Sequence, residues 1–64
     1  MNLTKHARQR YHERFGVQSD KVIIERAQKA TELWMEDGVS HKQYGAICFV
    51  ILNDHILTVK KYFV

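Results

Sequence analysis

The stretch "YGAICFVIL" (residues 44–52) is the most strand-like segment of the 64-residue chain, and it is the natural starting point for the fold. It is rich in β-branched and aromatic residues and apolar at successive positions, which is typical of a strand in the middle of a sheet. "HILTVKKYFV" (55–64) follows as another strand, and Asn53-Asp54 between them fits a two-residue hairpin turn. The C-terminal part of the chain is therefore predicted to be an antiparallel hairpin.

The hairpin turn also predicts the register and the two faces of the hairpin. One face is predicted to carry the pairs Leu52–His55, Val50–Leu57 and Cys48–Val59, and the other the pairs Ile51–Ile56, Phe49–Thr58 and Ile47–Lys60. Because the first set is the more apolar, it is predicted to face the helices.

The N-terminal half carries start and stop signals for two helices. Thr4 is a suitable N-cap and Gly16 suits a left-handed C-terminal cap, so the first helix is predicted over residues 5–15. Ser19 is the next N-cap, and the apolar residues after it recur at helical spacing, which predicts a second helix over residues 20–30.

After the second helix the hydrophobic pattern changes from a helical to an alternating period. "TELWME" (31–36) is predicted as a short strand, and "EDGVSHKQ" (36–43) as a polar connection in which Asp37-Gly38 makes a tight turn. The predicted fold class is α+β, as one small domain over residues 1–64. Two N-terminal helices are expected to pack on a three-stranded antiparallel sheet, in the order α-α-β-β-β.

Composition limits the classes of function. A chain of this size hides only about 60% of its unfolded surface, which argues against a large enzyme pocket and for marginal stability or a stabilising partner. The single cysteine, Cys48, excludes an intramolecular disulfide and indicates a reducing, intracellular setting, where we expect it to fill the core. Neither a secretory signal nor a run of about 18 apolar residues is evident, so a cytoplasmic protein without membrane contact is predicted.

The net charge of +3 is concentrated on the first helix. Residues 4–16 hold Lys5, Arg8, Arg10 and Arg14 against Glu13, whereas the bases and acids in the rest of the chain cancel. A concentrated cationic surface favours an anionic partner, most commonly nucleic acid, although a solvated helix face has the same composition.

One row of the first helix runs along the border between core and solvent. The buried stripe of this helix is predicted to consist of Leu3, Ala7, Tyr11 and Phe15, and Arg14 falls inside it. Arg10 and His6 lie along the edge of the stripe, one and two turns before Arg14. An inward guanidinium is costly unless it is paired. The position of Arg14 therefore predicts either a structural contact with a carboxylate or a sheet carbonyl, or an anion site in which Arg10 and Arg14 hold a phosphate beside His6.

The segments "LTKHARQRYHERFGVQ" (3–18), "DKVIIERA" (20–27) and "HILTVKKYF" (55–63) resemble a widespread uncharacterised family of small bacterial and phage domains with an H-A-x-x-R-x-x-x-R start. That family is related to BrnT-type toxins and is grouped with RelE-type ribonucleases. The specific part of the likeness consists of His6-Ala7, Arg10, Arg14 and the aliphatic-Thr-Val ending Leu57-Thr58-Val59.

The resemblance implies a RelE/BrnT-like domain that binds RNA, with metal-independent endoribonuclease activity of the toxin–antitoxin type as the activity to test. RelE-type enzymes activate the ribose 2′-hydroxyl against the adjacent phosphate. By this likeness His6 would be the proton-transfer group, and Arg10 and Arg14 would stabilise the phosphate. Further nucleic-acid contacts are predicted at Lys5, Arg8, Lys60, Lys61 and Tyr62.

Two other classes of function stay open. "RYHERFGVQSDKVIIERA" (10–27) has the length of a DNA-binding helix-turn-helix, but its second helix is near neutral and His12 occupies a position that is normally small and buried. The third class is a non-catalytic protein-binding module, such as a phage-encoded inhibitor of a host enzyme or an antitoxin-like partner.

Other signals in the sequence are weaker. No metal or other cofactor is predicted, because the four histidines lack metal-ligand spacing. Phe63 is predicted to pack on the sheet, whereas for Trp34 both packing and base stacking stay open. Exposed strand edges at 31–36 and at the C-terminal strand allow pairing of two copies into a homodimer.

Overall fold

The structure, a computed structural model, describes residues 1–62. These residues form β1 (Asn2–Leu3), α1 (Lys5–Phe15), α2 (Asp20–Lys29), β2 (Thr31–Glu36), β3 (Val39–Tyr44), β4 (Ile47–Leu52) and β5 (His55–Lys61). The predicted positions of both helices and of the 31–36 strand are confirmed. Phe63 and the end of the predicted 55–64 strand lie outside the described residues. Neither α1 nor α2 is long and apolar enough to cross a membrane.

Both helices begin at the predicted caps. The Thr4 side chain accepts a hydrogen bond from the Ala7 N–H at 3.1 Å, and the Ser19 side chain accepts one from the Val22 N–H at 3.3 Å. α1 ends before Gly16, whose φ of 95° lies in the region that favours glycine. The two helices are therefore delimited by local sequence signals.

The sheet has five strands in the order β1-β5-β4-β3-β2, and it is mixed because β1 runs parallel to β5. The predicted three-stranded antiparallel sheet, the α-α-β-β-β order and the RelE/BrnT-like architecture given for it are therefore wrong. The first additional strand, β1, is only two residues long and has no sequence pattern of its own. Hydrogen bonds to residues that are distant in sequence hold it in place. The Asn2 N–H donates to the Asp54 carbonyl at 2.9 Å, and the Thr4 side chain donates to the Ile56 carbonyl at 2.7 Å.

The second additional strand, β3, lies within the stretch predicted to be a polar connection. Its sequence, VSHKQY, is mostly polar, yet it pairs with β2 on one side and β4 on the other. Ser40 is buried there and donates its hydroxyl to Glu32 Oε1 at 3.0 Å, which satisfies the polar group. Gly45, with φ of 58°, turns the chain after β3, so the predicted 44–52 strand begins at Ile47 instead.

The turn between β4 and β5 is the predicted one. Asn53 and Asp54 have positive φ values of 49° and 64°, as a two-residue hairpin turn of this kind requires. Leu52 lies opposite His55, in the predicted register.

Beyond this first pair, a β-bulge changes the register of the hairpin. Ile51 pairs with Ile56 as predicted, but Val50 pairs with Thr58, so Leu57 is an extra residue on β5. Every pair further along the hairpin is displaced by one residue from the prediction.

The face of β4 that packs against the helices is the one predicted to lie outside. The core contains Ala7, Tyr11, Ile23, Ala27, Ile47, Phe49, Ile51, Ile56 and Val59. Because of the bulge, Phe49 lies opposite Val59 rather than Thr58, which makes this face apolar on both strands. Cys48 is buried but lies on the opposite face, where it pairs with Lys60.

Candidate nucleic-acid interface

α1 has two polar flanks, and the contacts of each flank show what it faces. Arg8 forms a two-pronged ion pair with Asp20 at the start of α2, with both N···O distances at 2.8 Å. On the other flank, Arg14 Nη1 donates to the carbonyl oxygen of Val59 in β5 at 2.6 Å. Tyr11, between the flanks, is fully buried. One flank of α1 therefore faces α2, and the other lies along β5.

The part of β5 beside Arg14 is an open edge of the sheet. β1 pairs with β5 only at His55 and Ile56, so in the described part of the chain no strand continues along this side of β5. The Arg14 guanidinium satisfies the Val59 carbonyl at this edge. A contact with a sheet carbonyl is one of the two predicted interpretations of Arg14, and it is confirmed.

His6, Arg10 and Arg14 lie in one row of α1, but their contacts differ. Arg10 Nη1 pairs with Glu13 Oε1 at 2.8 Å, on the same helix. His6 is exposed to solvent, and Arg14 is held by Val59. Of the three, Arg14 is the one that hydrogen-bonds to β5, and among the described residues no hydrogen bond or ion pair joins the three side chains to one another.

Two lysines of β5 follow the Val59 carbonyl and lie on opposite faces of the sheet. Lys60 and Lys61 are exposed and follow directly after Val59. Lys61 lies on the helix-covered side of the sheet, because it pairs with the core residue Ile47. Glu13 is the single carboxylate in the sequences of α1 and β5. Lys60 pairs with Cys48 and lies on the opposite face, so we call the surface formed by His6, Arg10, Arg14 and Lys61 the cationic edge.

The remaining predicted nucleic-acid contacts are divided between two places. Lys5 and Arg8 lie on the side of α1 away from β5, where Lys5, Arg8, Gln9, His12 and Glu13 line an open depression of about 380 Å³. Arg8 is already engaged there by Asp20. Tyr62 is half-buried next to the cationic edge, and its N–H donates to the Ala46 carbonyl at 2.8 Å.

Two partners at the cationic edge were not identified from the sequence. The pairing of Arg10 with Glu13 could have been predicted from the sequence, because opposite charges three residues apart meet on a helix. The contact of Arg14 with the Val59 carbonyl could not have been predicted, because the position of this carbonyl depends on the bulge and on the sheet edge.

Metal-ligating and nucleophilic side chains do not converge in the described part of the chain. Within residues 1–62, no group of three His, Cys, Asp or Glu side chains is arranged to hold a metal ion. Burial raises the pKa of the Cys48 thiol, which disfavours the reactive thiolate.

The Arg8–Asp20 pair gives the fold a pH dependence. The hydrogen bond from Arg8 lowers the pKa of Asp20 below its ordinary value. A carboxyl whose pKa is lowered on folding stabilises the protein above its unfolded pKa, and this stabilisation is lost as the pH falls through the folded pKa.

We therefore expect Asp20→Asn to reduce the acid dependence of folding. Urea melts at neutral pH and in the acid range should show a smaller loss of stability on acidification for Asp20→Asn than for the wild type. Both groups are exposed, so the difference should be small and should shrink further in high salt. Glu25→Gln, at an exposed position on the same helix, is the control. Identical pH profiles for Asp20→Asn and the wild type would contradict this role of the ion pair.

Comparison of the chain with protein-family models, with curated proteins and with solved structures gives no match.

Proposed function

We propose that this protein binds RNA, and that the cationic edge contacts the sugar–phosphate backbone. The observation that carries the proposal is the position of Arg14, which its contact with Val59 holds at an open sheet edge, on the same side of the sheet as the exposed Lys61. Phosphates account for much of the affinity of nucleic-acid-binding proteins, and clustered Arg and Lys side chains supply those contacts.

Arg14 is well suited to bind a phosphate. The Val59 carbonyl engages Nη1, and among the described residues no other acceptor bonds to the guanidinium, whose remaining N–H groups can donate to a ligand. A guanidinium presents a planar fork that matches two phosphate oxygens, and an anchored side chain loses less freedom on binding. Lys61, on the same side of the sheet, adds a second positive charge close by.

RNA is proposed over other polyanions because of the family resemblance at His6, Arg10 and Arg14. The same resemblance proposes cleavage, with His6 as the proton-transfer group. The geometry supports binding more directly than cleavage, because Arg10 would have to leave Glu13 before it could act on a phosphate shared with Arg14.

The proposal predicts that reversal of one charge at the cationic edge weakens RNA binding. We expect Lys61→Glu to lower the affinity for a labelled single-stranded RNA about tenfold at low salt, measured by fluorescence anisotropy. The slope of log affinity against log salt should become shallower by about 0.7 for each phosphate that the variant no longer neutralises. Lys21→Glu makes the same change of charge at an exposed site on α2, and it should have a smaller effect.

The alternatives give different results in the same experiment. No RNA binding at low salt, or equal losses of affinity for Lys61→Glu and Lys21→Glu, would exclude a specific role of the cationic edge. Tighter binding of duplex DNA would favour the helix-turn-helix class. Intact RNA after incubation with the wild type would exclude cleavage, whereas cleavage that disappears in His6→Ala with binding retained would assign proton transfer to His6.

A further inference from the structure

One face of the sheet is turned away from both helices. Phe49 and Ile51 of β4 belong to the core that includes residues of α1 and α2. Side chains alternate along a strand, so Val50 and Leu52 project from the opposite face. We call this second side of the sheet the outer face.

Apolar side chains lie side by side on three strands of the outer face, together with the His41 ring. Val39 pairs with Leu52, and Val50 pairs with His41, which pairs in turn with Trp34. The Trp34 and His41 rings stack with 4.2 Å between centroids, and Trp34 is still 45% exposed. We call these five residues the outer band. A solvated sheet face is normally polar by alternation, so an apolar band of this width indicates a surface that is covered by a partner.

We propose that the outer band is the interface of a symmetric homodimer in which two sheets pack face to face. The band itself carries no Asp, Glu, Lys or Arg. Glu36 pairs with Val39 on the β2 side, and Lys60 pairs with Cys48 on the β5 side, so the two charges occupy diagonally opposite corners of the outer face. A neutral face with opposite charges at opposite corners is complementary to a second copy of itself, whereas a polyanion is drawn to the cationic edge.

The corner charges also specify how the two copies are arranged. One diagonal of the outer face joins Glu36 and Lys60. A two-fold axis along the other diagonal places each Lys60 next to the Glu36 of the partner copy. The strands of the two sheets then cross near a right angle, which is one of the two ways that sheets pack.

The outer face is large enough for a weak dimer. Strands β2 to β5 have six or seven residues each. With strands about 4.8 Å apart and about 20 Å long, each copy offers roughly 400 Å² of projected area, and side-chain relief raises the buried total to roughly 1,000 Å². That is near the lower limit for a specific interface, so we expect a dimer that dissociates in the micromolar range.

The test compares one substitution on the outer band with the same substitution elsewhere. Val50→Lys should weaken dimerisation about a hundredfold in sedimentation equilibrium, because it places two unpaired ammonium groups in an apolar interface. Val17→Lys, at a site that is 81% exposed between the helices, should leave dimerisation unchanged. Trp34 is the only tryptophan of the chain, so its emission should shift to the blue as the wild-type concentration rises.

Three further variants keep the test decisive. Trp34→Ala removes an exposed side chain and should dissociate the dimer even if Val50→Lys fails to fold. Glu36→Lys should weaken the dimer about tenfold, and Glu36→Lys with Lys60→Glu should restore it. A wild type that is monomeric up to millimolar concentration, or a folded Val50→Lys that dimerises normally, would overturn the proposal. Quenching of the Trp34 fluorescence by RNA, at concentrations where the protein is monomeric, would also overturn it, because the RNA would then occupy the outer band. Folded Val50→Lys should still bind a short RNA, so failure of the dimer proposal and failure of the RNA proposal are distinguishable.

Discussion

Phe49→Ala is expected to unfold the protein near room temperature, whereas Val50→Ala on the same strand should cost no more than about 1 kcal/mol. Phe49 is fully buried in the core, opposite Val59. Truncation of a buried phenylalanine typically costs about 3–5 kcal/mol, and a domain of this size rarely has more than about 3–5 kcal/mol of stability to lose. Val50 is only half-buried on the outer face.

The same pair of variants tests which face of β4 forms the core. Urea denaturation followed by circular dichroism, at a concentration low enough to keep the chains monomeric, measures both stabilities. The register predicted from the hairpin turn alone puts Val50 toward the helices and would make Val50→Ala the more damaging change. A folded Phe49→Ala beside an unfolded Val50→Ala would therefore contradict the structure.

The helices could be predicted from the sequence because their signals are local. Thr4 and Ser19 each hydrogen-bond an N–H three residues further along, so cap and helix lie in one short segment. Gly16 permits the positive φ at the end of α1. None of these features depends on the rest of the fold.

The sheet could be predicted only in part because its decisive contacts are distant in sequence. β1 is two residues long and exists through its pairing with β5. β3 is polar and is specified by its neighbours rather than by its own pattern. Turn chemistry correctly places Leu52 opposite His55, but the bulge at Leu57 moves Val59 to the face of Phe49, and a pattern of apolar residues on both faces cannot reveal that shift.

In the candidate site, too, local features could be predicted from the sequence and long-range contacts could not. Helical geometry was sufficient to predict that Arg14 needs a partner, but the residue is exposed at the sheet edge rather than turned into the core. Which partner it finds depends on the edge of β5, where the Val59 carbonyl lies within 2.6 Å of the guanidinium. Sequence spacing can therefore identify a row of side chains, but the contacts that hold each of them depend on the tertiary fold.

Tyr11→Ala is expected to abolish folding, and Tyr11→Phe to cost about 1–2 kcal/mol. Tyr11 is the largest fully buried side chain, and its ring lies 5.5 Å from that of Phe15, centroid to centroid. Its hydroxyl accepts a hydrogen bond from Arg26, whose guanidinium also lies 5.9 Å from the centre of the Tyr44 ring. Phenylalanine keeps the ring in place but leaves the half-buried Arg26 without this acceptor.

A double-variant cycle separates the hydrogen bond from the packing of the ring. Arg26→Leu removes the hydrogen-bond donor, which is the same group that Tyr11→Phe leaves unpaired. The double variant should therefore lose less stability than the sum of the two single variants. Urea melts of the four proteins give the coupling energy, which we expect to be about 1 kcal/mol. Strict additivity would mean that Arg26 does not join α1 to α2 through Tyr11.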